Sequence, residues 1–175
     1  MSTTKWTIDP THSEVSFKVK HLVISTVTGF FRSFEGSAES TSDDFDGASV
    51  SFSAAIDSID TNQTDRDNHL KSADFFDAEN HPKLSFEGKV SKESGDYKLV
   101  GELEMRGTKK QVELDVDFGG VVADPYGQTK AGFEIEGKIN RKEFGLAWSA
   151  VTEAGSVVVS DQVRLHLNIQ LVKQA

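Results

Sequence analysis

An alternation of apolar and polar side chains with a period of two runs through nearly the whole chain, and it restricts the fold more than any other feature. From Glu14 to Val23, the residues Val15, Phe17, Val19 and Val23 fall on one parity, and Glu14, Ser16, Lys18 and Lys20 on the other. Successive side chains of a strand point to opposite faces, so this segment reads as a strand with one wet face. The same pattern returns in Val50, Phe52, Ala54 and Ile56, in Leu84, Phe86 and Val90, and in Tyr97, Leu99, Leu103 and Met105. It continues through Val112, Leu114, Val116 and Phe118, then Phe133, Ile135 and Ile139, and ends with Val163, Leu165, Leu167, Ile169 and Leu171. Ser94-Gly95-Asp96, Arg106-Gly107-Thr108, Asp124-Pro125-Tyr126-Gly127 and Glu153-Ala154-Gly155 punctuate these runs as turn signals. Long strands joined by short turns predict an all-β antiparallel meander. No linker or repeat divides the chain, so residues 1–175 read as a single domain.

Strands of about ten residues, tilted by about 40°, enclose a barrel roughly 25 Å tall. An eight-stranded barrel has an interior that side chains just fill, or that holds one small ligand. Gly88, Gly101, Gly132 and Gly137 lie within or beside strands, where they either bend the sheet or make room inside it.

One segment breaks the period. Thr64 to Phe76 carries Leu70, Ala73 and Phe76 at helical spacing, with Thr64 as the expected cap and Asp65 and Asp67 in the first turn. A short helix among strands predicts a lid or plug at one end of the barrel. Arg66, His69, Leu70 and Ala73 share one face of it.

Composition narrows the function. A chain of 175 residues buries about 70% of its unfolded surface and needs neither disulfide nor metal to hold a core. It has no cysteine, which excludes cysteine-ligated zinc. With 28 acidic against 19 basic residues and a net charge of -9, it has no basic cluster to neutralise phosphates, so nucleic acid is not an expected partner. The first twenty residues contain no uninterrupted apolar segment, which predicts neither a secretory leader nor stable membrane insertion and points to the cytoplasm; a missing leader would instead mean a periplasmic or secreted protein. Twelve phenylalanines, against two tryptophans and two tyrosines, demand a large oily interior.

Motifs for catalysis are weak. Asp9-Pro10-Thr11-His12-Ser13 lacks the geometry of a nucleophile and its base, because adjacent residues of an extended segment face opposite ways. Asp60 to Asp65 begins like a calcium loop, but Asp65 stands where glycine is required and Lys71 where a glutamate should ligate. Asp43, Asp44 and Asp46 read as a solvated loop, and the five histidines have no zinc spacing. No metal site and no cofactor are expected. His21 shares the inward parity of Val15, Phe17 and Val19.

Trp6-x-Ile8-Asp9-x-x-His12-Ser13-x-Val15-x-Phe17-x-Val19-x-His21, then Gly29-x-Phe31-x-x-Phe34-x-Gly36, then Ser58-Ile59-x-Thr61 leading to Arg66-Asp67-x-His69-Leu70-x-Ser72-x-Asp74-Phe75-Phe76, resemble the YceI-like family. His81-Pro82 with Phe86, Gly101-x-Leu103 with Gly107-Thr108-Lys109, and Arg141-x-x-Phe144-Gly145 extend the resemblance almost to the end. It implies a lipocalin-like eight-stranded antiparallel β-barrel with an elongated pore for a polyisoprenoid, an isoprenoid quinone or a fatty amide, and no enzymatic activity.

Burying about ten apolar carbons at roughly 0.8 kcal/mol each gives near-micromolar affinity before ordering costs. The expected pore wall is Phe17, Val19, Phe31, Phe34, Phe52, Phe86, Leu103, Leu114, Phe133, Ile135 and Leu165. Position assigns His21, Arg66 and His69 to the ligand's polar end. An alternative is an enzyme on a small substrate with His21, Arg66 and Asp67 at the barrel mouth. A third is an interaction module that uses the barrel as a scaffold. A closed barrel leaves no free edge, so a homodimer would have to form through faces or loops.

Overall fold

The structure, a computed structural model, describes residues 3–22, 24–42, 44–146 and 159–174. Val23, Asp43 and the turn signal at 153–155 lie outside the described residues. Among the described residues eleven strands are formed: β1 (Thr4–Ile8), β2 (Glu14–His21), β3 (Ser25–Phe31), β4 (Phe34–Ser40), β5 (Ser49–Ala55), β6 (Ile59–Asp60), β7 (Lys83–Glu93), β8 (Asp96–Met105), β9 (Thr108–Ala123), β10 (Thr129–Asn140) and β11 (Val159–Lys173). One α-helix, α1 (Thr64–Lys71), lies between β6 and β7.

Pairing reduces these strands to eight ribbons. β1 pairs with β4 while β2 pairs with β3, so β1 and β2 are halves of one strand, kinked at the 3-10 turn Pro10–His12. β4 pairs with β5 while β3 pairs with β6, which makes β3–β4 and β5–β6 two further kinked ribbons. Proline at the start of the first kink has no N–H to give the ladder, and the Asp9 carboxylate accepts the Thr11 amide there instead. β7 to β11 follow as successive hairpins. β11 then closes the ring, lying against β2 through Val159–Asn168 and against β1 through Leu171–Lys173. The result is the closed, eight-stranded antiparallel barrel with one helix that the alternation and the resemblance predict. Ser94-Gly95 and Arg106-Gly107 carry paired positive φ angles, as two-residue hairpin turns between right-twisted strands require.

The helix differs from expectation at both ends. It stops at Lys71, short of Phe76, and its N-cap is Gln63 with no side-chain cap, in place of Thr64. Asp67 reaches back out of the helix to accept the amide and hydroxyl of Thr61, at 2.7 and 2.5 Å. At the other end the Ser72 hydroxyl donates to the His69 carbonyl, and the chain turns so that the Phe76 amide meets the Leu70 carbonyl at 3.0 Å. Ala73 is therefore exposed, and Phe75 and Phe76 are buried by a turn rather than by helical spacing. Among the described residues no helix is long and apolar enough to cross a membrane.

Candidate functional site: an apolar cavity along the barrel

The inward parity of the strands converges on a cavity of about 200 Å³. Of the described residues that line it, all but Ser16, Ser37, Ser51 and Arg141 are apolar, and their exposed surface there is almost entirely carbon. Phe17, Val19, Phe31, Phe52, Phe86, Leu103, Leu114, Phe133, Ile135 and Leu165 lie along it. Phe34 does not: its ring stacks on Phe52 with centroids 6.2 Å apart and packs against the core from there.

The two ends of the cavity are built differently. At one end Leu70 of α1 and the following Phe75 and Phe76 contribute to the lining, and Phe76 meets Phe31 edge-on at 5.9 Å. At the other end stands Phe45, from the connection between β4 and β5, 1% exposed and enclosed by Trp6, Phe118 and Phe133 with ring centroids 5.0 to 5.4 Å away. Phe45 sits between Asp44 and Asp46 in the stretch that reads as a solvated loop. The apolar residue inside that acidic run was the available signal of a buried loop.

Arg141 is the charged member of the lining. Its side chain is 4% exposed. Nε donates to the Ser160 carbonyl at 2.9 Å, and the guanidinium donates to the carbonyls of Leu146 at 2.6 Å and Val159 at 3.3 Å. Asp161 stands 3.9 Å away, and the guanidinium lies 5.7 Å from the centroid of the Phe75 ring. Burial lowers its pKa from the ordinary value and Asp161 opposes that shift; an arginine stays charged regardless. The sequence presents Arg141 only as part of a motif, because two of these carbonyl acceptors, those of Val159 and Ser160, are brought in by β11.

Arg66 and His69, two of the residues expected at the polar end, stand outside the lining. Arg66 donates from Nε to the Thr61 hydroxyl at 2.8 Å and from the guanidinium to the Thr61 carbonyl at 2.5 Å. Thr61 itself is 3% exposed, so Arg66 and Asp67 converge on one buried residue and not on the cavity. His69 Nε2 lies 2.9 Å from the Asp74 carboxylate, and its ring meets Phe75 edge-on. His21 closes β2, paired with Ser25 and Val159; its side chain lies outside what the structure describes.

Strand pairing also brings Glu134, Glu136 and His166 together on the outer wall, with ligand atoms within 4.8 Å of one another. This is the group among the described residues whose donors could meet a metal ion, and no spacing in the sequence reveals it, because His166 sits across the ladder from Glu136. His166 Nε2 is already 2.8 Å from the Glu134 carboxylate.

Comparison with known proteins agrees with this architecture. The YceI-like domain model matches residues 6–171. A UPF0312 protein of Staphylococcus epidermidis is 35% identical over 168 residues, covering 95% of this chain and 96% of its own length. The YCEI protein of Campylobacter jejuni is 31% identical with a TM-score of 0.76, covering 90% of this chain and 91% of that one. A polyisoprenoid binding domain from Saccharophagus degradans, 14% identical, shares the fold with a TM-score of 0.74 over 97% of this chain and 98% of its own. With a family match that spans the closed barrel and the cavity inside it, the chain belongs to the YceI-like family.

Proposed function

We propose that this protein binds one long hydrophobic chain in the barrel cavity and does so without catalysis. The observation that carries the reading is a buried cavity whose surface is almost wholly carbon. Such a cavity offers a hydrocarbon tail its full transfer free energy and offers a polar group no partner. A tail therefore lies inside and its head group stays out. The Phe45 cluster fills one end, so the head belongs at the α1 end, beside the helix that carries Arg66 and His69. Polyisoprenoids, isoprenoid quinones and fatty amides fit this description, and the shared fold of a polyisoprenoid binding domain supports the first of these.

An enzymatic reading has no specific observation in its favour. Arg66 and Asp67 are committed to Thr61, an arrangement that anchors the helix and leaves neither group aimed at a substrate.

Organic extraction of the purified protein followed by mass spectrometry tests the proposal. The expected result is a single class of long-chain lipid in near-stoichiometric amount. An extract without any such species, together with failure of the stripped protein to take up a long-chain alcohol, overturns it.

A further inference from the structure

We infer that Phe45 is the end stop of the cavity and sets the longest hydrocarbon chain it accepts; the inference rests on the binding reading above. The ring lines the cavity at the end opposite α1. β7 fixes the polarity: its first residue, Lys83, follows the segment that leads from α1, whereas Val90, near its other end, is bonded to the Phe45 loop. The Gly47 amide donates to the Val90 carbonyl at 2.8 Å, and the Val90 amide donates to the Ala48 carbonyl at 2.9 Å.

The loop is held firmly for one outside the barrel strands. Phe45 has φ 64, a conformation bulky residues rarely adopt. Its neighbours determine it from both sides. The Asp44 carboxylate accepts from the Ser42 hydroxyl at 2.7 Å and from the Asp46 amide at 3.2 Å, and Asp46 accepts the Lys92 amide at 3.1 Å. Aspartates that read as solvent-facing decoration thus point a phenylalanine into the barrel. Phe118 and Phe133, which pack edge-on against it, stack on each other with centroids 5.0 Å apart. A chain end entering from the α1 side meets a rigid aromatic wall, not a side chain that swings aside. Because interiors are close-packed and accommodate extra volume poorly, such a wall discriminates by length.

Straight-chain fatty alcohols of increasing length, measured by displacement of a fluorescent probe from stripped protein, provide the test. For the wild type, affinity is expected to rise by about fourfold per added methylene and then to stop rising at a defined length. Phe45→Ala moves that break to longer chains by roughly three methylenes, the space of the lost ring, and Phe45→Trp moves it to shorter ones. Phe52→Ala, in the side wall, weakens all alcohols that reach it and leaves the break where it was. Circular dichroism melts verify that each variant is folded. If folded variants at Phe45 bind alcohols with the break unmoved in both directions, Phe45 is not the stop. If the wild type binds no alcohol of any length, it is the binding reading itself that fails.

Discussion

A methyl group added at Gly101 would sit 2.2 Å from the Glu87 carbonyl oxygen and 2.5 Å from the Gly88 Cα. Gly88 and Gly101 face each other across the β7–β8 ladder, so the obstacle is backbone on both sides and only a displacement of strands relieves it. Gly101→Ala is accordingly expected to destabilise the barrel by about 1–3 kcal/mol, the usual cost of overpacking, seen as a lower urea midpoint. Gly132→Ala is the contrast, with no neighbour within 4 Å of the added carbon, and its midpoint should stay close to wild type. The sequence marks all four strand glycines alike, as bends or as room. Which role applies depends on what lies opposite: backbone at Gly88 and Gly101, the Leu114 side chain at Gly137. Opposition is a matter of register, and register is set by distant partners that a local alternation does not identify. Phe45 escaped notice, and Arg141 showed only as part of a motif, for the same reason, since each is buried by contacts from other ribbons.

Kinks and hairpins are where the elements are tied to one another. Lys130 of β10, with its side chain 12% exposed, lies 3.3 Å from the Asp9 carboxylate at the β1–β2 kink and 3.6 Å from Asp124 in the β9–β10 turn. Hydrogen bonds from Thr11 and His12, and then from Lys130, hold the Asp9 carboxyl far below the usual range. Backbone amides of Gln128 and Tyr126, with Lys130, lower Asp124. Both groups are depressed in the folded state, so their stabilisation is complete above the unfolded carboxylate value near 4 and is lost as the pH falls below it. Asp9→Asn should lower the melting temperature at neutral pH, and its difference from wild type should shrink as the pH is taken toward 3; a constant gap would exclude this charge network as the cause. The helix is held by a second tie. Thr61→Val removes the hydroxyl shared by Arg66 and Asp67, and losing such a bond costs on the order of 1 kcal/mol. Amide exchange within α1 is expected to quicken about tenfold while that of β7–β11 is unchanged, because local opening of an end cap need not unfold the barrel. The existence of a helix here was legible in the sequence. Its ends were not, because Asp67 and Ser72 bond to the backbone in ways that compete with helical geometry.

Across the whole molecule, the period of two divides the chain into an oily interior and a charged exterior. Parity needs no partner to be read, which is why the barrel and most of the residues that line the cavity were legible in the sequence. It also separates the charges: among the described residues Arg141 is the charged residue of the lining, so their other charges lie on the outer wall and the loops of a chain whose net charge is -9. If the protein binds a water-insoluble chain as proposed, exchange of that chain by contact with a bilayer is opposed, for anionic lipid, by a negatively charged exterior. Transfer of a fluorescent long-chain alcohol from the protein to vesicles should therefore be slower for phosphatidylserine-rich vesicles than for pure phosphatidylcholine, by about tenfold at low ionic strength. Raising the salt from about 0.01 to 1 M shortens the Debye length from about 30 to 3 Å, and the two rates should converge. Equal rates at low salt, or rates independent of vesicle concentration, would mean that the ligand leaves through water and that the outer charge plays no part in delivery. Convergence with salt would instead make the exterior as much a part of the function as the pore.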